Sequence, residues 1–158
     1  GIARVLIVDW DVHHGNGTQA LVEREADIRF VSMHQWPWDP GTGAAEDRGP
    51  HRTVWNVPMP AGQPRARYVD AWTRAIDAAT DGWSPEIVFV SAGFDSLAGD
   101  PLGGFTLEIE DFVAMTRDLV IRAEAWCGGR VVSSLEGGYA PERMAAAAVA
   151  HMRALIHG

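Results

Sequence analysis

Four short apolar runs constrain this chain more than any other feature: Arg4 to Asp9, Ile28 to Met33, Glu86 to Ser91 and Arg130 to Leu135. Each is dominated by β-branched or aliphatic residues, without the strict polar–apolar alternation of a half-exposed strand. Runs of this kind read as strands buried on both faces, the signature of parallel pairing. A fifth run, "TVWNVPM" at 53 to 59, reads as an edge strand. Helical patterns fall between the runs. Thr18 to Glu25 is short, and Arg65 to Thr80 places Tyr68, Ala71, Trp72, Ala75 and Ile76 near helical spacing. Thr106 to Trp126 starts from Thr106 as an N-cap. Pro141 to Ile156 opens on a first-turn proline and is rich in alanine. Strands that alternate with helices predict an α/β fold with a mainly parallel sheet.

Composition narrows the function classes. The 158 residues suffice for one domain with a core of its own, and 47% hydrophobic with 22% charged residues is ordinary globular composition. A formal net charge of -8, with no basic patch, argues against direct nucleic-acid binding. Cys127 is the single cysteine, which excludes an intrachain disulfide and leads us to expect a cytoplasmic setting. No apolar run approaches the length of a membrane span, so no membrane partner is expected. Oligomeric state is left open.

In parallel α/β folds, ligands sit at the carboxyl ends of the strands. The first run ends in Asp9, Asp11 and His13, and the second in His34 and a long Pro/Gly loop at 34 to 52. The third is followed by Gly93 and Asp95, the fourth by Glu136, Gly137, Gly138 and Tyr139. Residues two apart on extended backbone share a face, so Asp11 and His13 make half of a metal site. Asp95 can supply a third ligand. Three protein ligands with an open position is the catalytic zinc arrangement, and Fe2+ or Co2+ would accept the same donors. Blander readings stand beside this one. Asp95 can be a turn former, His14 a packing residue, and Gly15 and Gly17 mere exits from the strand. The metal reading requires the three ligand groups to converge on one point.

The segments "DWDVHHGNGTQ", "SAGFDSLAGDPLGG" and "LEGGY" resemble the zinc-dependent histone deacetylase family, above all its class II branch and bacterial histone deacetylase-like amidohydrolases. The resemblance covers most of the chain, in order. It implies a three-layer α/β/α arginase–deacetylase-like fold, present in part. It also implies zinc-dependent hydrolysis of N-acetyl amides, acetyl-lysine in proteins or related small acetylated amines. By resemblance, Asp11, His13 and Asp95 bind zinc and Tyr139 polarises the acetyl carbonyl. Asp9 orients a general-base histidine. A structural potassium ion would use Asp9, Asp11, His13, Ser32 and Met33. A second, carbonyl-only cation site is implied around Val22, Glu25, Ile28 and Thr53.

Three departures qualify the resemblance. The family carries a His-His general base, after Pro-Gly, ahead of the first zinc motif, and this sequence starts at that motif. Residues 1–158 are therefore expected to be the C-terminal portion of one deacetylase catalytic domain, a fragment. The alternative expectation is a catalytically incomplete metal-binding α/β domain. Asp39 replaces an aromatic tunnel residue, with Trp38 just before it. Leu102 stands where polyamine-specific members carry an acidic residue, which favours acyl-lysine or neutral substrates. Trp38, Asp39, Gly93, Leu102, Gly137 and Gly138 are the expected substrate contacts.

Overall fold

The computed structural model describes residues 1–157; Gly158, the last residue of the expected domain span, lies outside the described residues. The elements are β1 (Val5–Asp9), α1 (Asn16–Val22), β2 (Ile28–Gln35), β3 (Val54–Met59), α2 (Arg65–Thr80), β4 (Ile87–Ala92), α3 (Ile109–Cys127), β5 (Val131–Leu135) and α4 (Pro141–His157). All pairings are parallel, in the order β3-β2-β1-β4-β5. β1 is therefore central, which its unbroken apolar run requires. β3 is an edge, as the sequence suggested.

Register decides where the polar residues arrive. Asp9 pairs with Ser32 on β2 and with Ser91 on β4, so three strands release their polar tails at one level. On one side of β1 and of the residues that follow it, Leu6, Val8, Trp10 and Val12 alternate into a fully buried core. Trp10 organises it. Its ring lies 5.4 Å from Trp72 of α2, 6.0 Å from Phe112 of α3 and 5.4 Å from His151 of α4. Those three helices thus cover one face of the sheet. The short α1 packs against β2 on the other face, which gives three layers, although Phe89 and Val132 on that side stay 40% and 45% exposed.

Four expectations are corrected. β5 is not buried on both faces; it is the second edge, and Val132, Ser134 and Leu135 are exposed. Its apolar residues imitate a central strand in composition alone. β2 continues to Gln35, which brings His34 into the sheet. α1 spans Asn16–Val22, earlier than the Thr18 to Glu25 pattern. α3 is capped at Glu108, whose side chain and that of Asp111 form a reciprocal capping box. Thr106 is not the cap; its hydroxyl donates to the Gln63 carbonyl instead.

Candidate functional site

Asp11 and His13 follow β1 directly and Asp95 follows β4, its neighbour in the sheet. Their ligand atoms lie within 4.8 Å of one another. His13 Nδ1 is 3.0 Å from Asp11 Oδ1 and 3.2 Å from Asp95 Oδ2. Ligands about 2.0–2.1 Å from a tetrahedral zinc stand roughly 3.3 Å apart, so these two spacings are short enough for one ion to bridge the donors. The three residues converge as the metal reading requires.

The backbone presets the cluster. Val12 N–H donates to Asp95 Oδ1 at 2.8 Å, His13 N–H to Asp11 Oδ1 at 2.8 Å, and Gly137 N–H to Asp11 Oδ2 at 3.1 Å. Asp9 Oδ1 accepts the Asp11 N–H at 2.9 Å and so fixes the start of the ligand segment. One atom is left over: Asp95 Oδ2 is buried and accepts no hydrogen bond among the described residues. An orphaned buried carboxylate oxygen, facing a ring nitrogen, is what a metal ion would satisfy. Burial and the nearby Asp11 carboxylate push the Asp95 carboxyl up to about 7. Burial, with Asp11 and Glu136 adding, holds Asp9 well above the usual carboxylate range. Two carboxyls that resist ionisation side by side form a site short of positive charge. The donor set fits a divalent cation.

A cavity of about 330 Å³ opens over the cluster, lined among others by Asp9, Asp11, His13, His14, Gly137 and Tyr139. Tyr139 is thus brought to the ligands, half exposed at 49%. Burial and the carboxylates of Asp95, Asp11 and Asp100 raise its phenol above the ordinary tyrosine value, so it stays a hydrogen-bond donor at neutral pH. A second cavity of about 340 Å³ lies beside β5, lined by Phe94, Leu135, Met152 and Leu155 among others, and holds none of the clustered acids.

The glycines serve the carboxylates by close approach. A Cβ on Gly137 would lie 2.3 Å from Asp95 Oδ2 and 2.5 Å from Asp11 Oδ2. On Gly93 it would lie 2.3 Å from Asp11 Oδ2 and 2.7 Å from the Asp11 Cα. The second contact is with backbone, which cannot swing aside. Gly93→Ala is expected to cost about 1–3 kcal/mol of stability, as overpacking does. It should also weaken divalent-cation binding at the cluster by about tenfold or more, because Asp11 is displaced. Denaturant unfolding and divalent-metal titration of the variant check both. Gly138, at φ 148°, packs against Met144 and Phe94.

Trp38, Asp39 and Leu102 do not line the cavity over the ligands. Trp38 and Leu102 meet each other: the indole N–H donates to the Leu102 carbonyl at 3.0 Å, joining the loop after β2 to the loop after β4. Asp39 is exposed in the same loop as Trp38. Ser32 pairs with Asp9 in register, but its hydroxyl engages His34 Nδ1 at 3.0 Å, and the Met33 side chain is in the core.

What composition and motif reading missed is a buried network behind the ligands. His14 Nδ1 meets Thr42 Oγ1 at 2.8 Å and its Nε2 meets Gln19 Oε1 at 2.9 Å. The amide of Gln19 reaches Asp47, and that of Asn56 donates to Gln19 Oε1. His34 Nε2 bonds the Gly43 carbonyl at 2.9 Å, and its ring lies 4.7 Å from that of His14. The long Pro/Gly loop is thereby bolted to β2 and α1. The doubled histidine and the length of the loop were the available signals, but nothing in sequence joined them.

Burial lowers His34 to about 4, with His14 adding and the Gly43 bond opposing. The folded protein therefore refuses a proton that the unfolded chain takes up below about 6.5. The stability held by neutral His34 is complete above pH 6.5 and is lost as pH falls toward 4. The stability gap between the wild type and His34→Gln should narrow by about 3 kcal/mol from pH 7 to pH 4. Denaturant titrations at both pH values test this, and the difference cancels the carboxyl titrations common to both proteins.

Known proteins resemble this chain throughout. A histone deacetylase-like amidohydrolase of Pseudomonas aeruginosa is 41% identical over 143 residues, covering 88% of this chain and 38% of its own length. Histone deacetylase 14 of Arabidopsis thaliana is 35% identical over 159 residues, covering 99% of this chain and 38% of that protein. The crystal structure of the HDA15 HD domain superposes with a TM-score of 0.89 at 35% identity, over 100% of this chain and 47% of that one. The chain spans about half or less of the length of these relatives. The arginase–deacetylase-like fold follows from that superposition, and the histone deacetylase domain family matches residues 1–155. This chain belongs to the histone deacetylase domain family.

Proposed function

We propose that this chain is the metal-binding portion of a zinc-dependent deacetylase domain. That enzyme would hydrolyse N-acetyl amides, acetyl-lysine in proteins or small acetylated amines, to acetate and a free amine. The observation that carries this reading is the Asp11–His13–Asp95 cluster with its orphaned oxygen, beneath a cavity that Tyr139 lines.

Asp11, His13 and Asp95 would hold the ion. Zinc is our choice, and Fe2+ or Co2+ would suit the same donors. When bound, it supplies Lewis-acid polarisation of the acyl carbonyl and lowers the pKa of the attacking water. The chain's own residues do the rest. Gly137 N–H and Val12 N–H hold the two carboxylates in place. Tyr139 donates its hydroxyl proton in a hydrogen bond to the oxygen on which negative charge develops. Asp9 anchors the ligand segment through the Asp11 N–H, and with the Ser32 hydroxyl, the Met33 carbonyl and backbone oxygens of Asp11 and His13 it would hold a structural potassium ion. By the resemblance, Leu102 would offer an uncharged neighbour for an acyl-lysine stem and Asp39 a carboxylate, although neither lines the cavity over the ligands.

A second reading is favoured by one observation. Of the imidazoles lining the cavity, His13 is a ligand and both nitrogens of His14 are engaged. Alone, then, these residues form a metal-binding α/β domain without a general base. The test is to measure zinc content of this chain and turnover of an acetyl-lysine peptide, here and in a polypeptide of the relatives' length. One zinc per chain, with turnover only in the longer polypeptide, supports the proposal. Zinc without turnover in either supports the second reading. A folded chain that binds no divalent ion overturns both.

A further inference from the structure

The loop after β4 contains a carboxylate outside the candidate ligand set and the lining of the cavity over it. Asp100 is 6% exposed and has no cationic partner among the described residues. A buried, unpaired carboxylate is costly unless hydrogen bonds hold it. It accepts two, one on each oxygen. Leu102 N–H donates to Oδ1 at 2.9 Å, and Tyr139 N–H donates to Oδ2 at 2.7 Å. The second bond spans 39 residues and ties the β4–α3 loop to the turn that carries Tyr139.

That turn needs a tie. Two glycines precede Tyr139, and Gly138 sits at φ 148°, a region open to glycine. Gly137 is fixed on both sides, through its N–H to Asp11 and its carbonyl to the Phe94 N–H at 2.6 Å. Beyond Gly138 that restraint ends, and the Tyr139 ring is half exposed. The bond to Asp100 is what re-fixes the backbone at Tyr139 itself. A carboxylate is required, because both contacts are N–H donors. An amide would accept one and set its own NH2 against the other.

We propose that Asp100 is a positioning residue, which holds the Tyr139 backbone so that its hydroxyl faces the Asp11–His13–Asp95 cluster. The role of Tyr139 rests on the function proposed above; the restraint on its backbone does not.

The chain has two tyrosines, and Tyr68 is fully buried in the core. Fluorotyrosine labelling therefore gives two 19F signals, one a built-in reference. In Asp100→Asn and Asp100→Ala, the Tyr139 signal should move toward that of a free tyrosine and sharpen, with the Tyr68 signal unmoved. Exchange protection of the Tyr139 amide should fall about tenfold or more, as for a lost bond to a charged acceptor. Zn2+, added alone, should bind both variants within about twofold of wild type, because no ligand moves. An unchanged Tyr139 signal in both variants overturns the proposal. So does a joint shift of Tyr68 and Tyr139, which would make Asp100 a general stabiliser of the fold. If Zn2+ fails to bind even the wild-type chain, the metal reading falls, while the comparison of tyrosine signals stands on its own.

Discussion

Replacing Asp95 with alanine is expected to abolish zinc binding by this chain. Asp95 brings the only buried carboxylate oxygen in the cluster that accepts no hydrogen bond among the described residues, and it faces His13 Nδ1 at 3.2 Å. Its other oxygen is anchored by Val12 N–H, so the free one points where an ion must sit. Loss of a partner outside the ligand shell weakens metal sites about 10–100-fold, so loss of a ligand should exceed about a thousandfold. Asp95→Asn separates binding from folding. Its carbonyl can keep the Val12 bond, while its NH2 cannot ligate. In the metal-free chain, Asp95 is pushed up to about 7 by burial and by Asp11. A raised carboxyl pKa means the folded state binds a proton the unfolded state releases, so its charge weighs on folding above pH 7 and the burden lifts as pH falls toward 3.8. Asp95→Asn should therefore be more stable than the metal-free wild type at pH 8, yet unable to bind zinc. Competitive zinc titration and denaturant unfolding report the two effects separately. Zinc affinity within tenfold of wild type in both variants would remove Asp95 from the ligand set.

The convergence of the candidate ligands was legible because its information is local. Asp11 and His13 sit two apart at the end of an apolar run, and period two alone puts them on one face. Asp95 needed one further inference, that its strand lies beside the first, and the register of β1 with β4 supplies it. The His14–His34 network was not legible, since its members come from α1, β2, β3 and a loop of irregular backbone. Only the fold brings Gln19 to Asn56, or Gly43 to His34. The exposure of β5 was hidden for a different reason. Val131, Val132 and Leu135 have the composition of a central strand, and composition records which residues want burial, not whether a neighbour arrives. The start of α3 shows a third limit. Thr106 and Glu108 both precede an apolar helix, and the reciprocal bond from Asp111, three residues on, selects Glu108.

Tyr139→Phe is expected to lower catalysis strongly while leaving the metal in place, and it isolates one hydroxyl. The ring is 49% exposed and its backbone bond to Asp100 does not involve the phenol, so folding and zinc content should not change. What disappears is a phenol donor, protonated at neutral pH as any tyrosine is, with its pKa raised further by burial and by the carboxylates of Asp95 and Asp11. A donor aimed at a developing oxyanion acts in the transition state far more than in the ground state. Removing one such donor typically lowers kcat by about 10²–10³-fold. In a polypeptide of the relatives' length acting on an acetyl-lysine peptide, kcat should fall by that factor, with KM within about twofold, because the lost bond contributes little to substrate binding. The split between kcat and KM is the decisive reading. A rise in KM at constant kcat would make Tyr139 a substrate-binding residue. A fall in zinc content would make it a support for the ligands, and unchanged kinetics would remove it from the reaction. The loss of kcat alone, with the metal retained, follows only if the hydroxyl meets charge that appears as the acyl carbonyl is attacked.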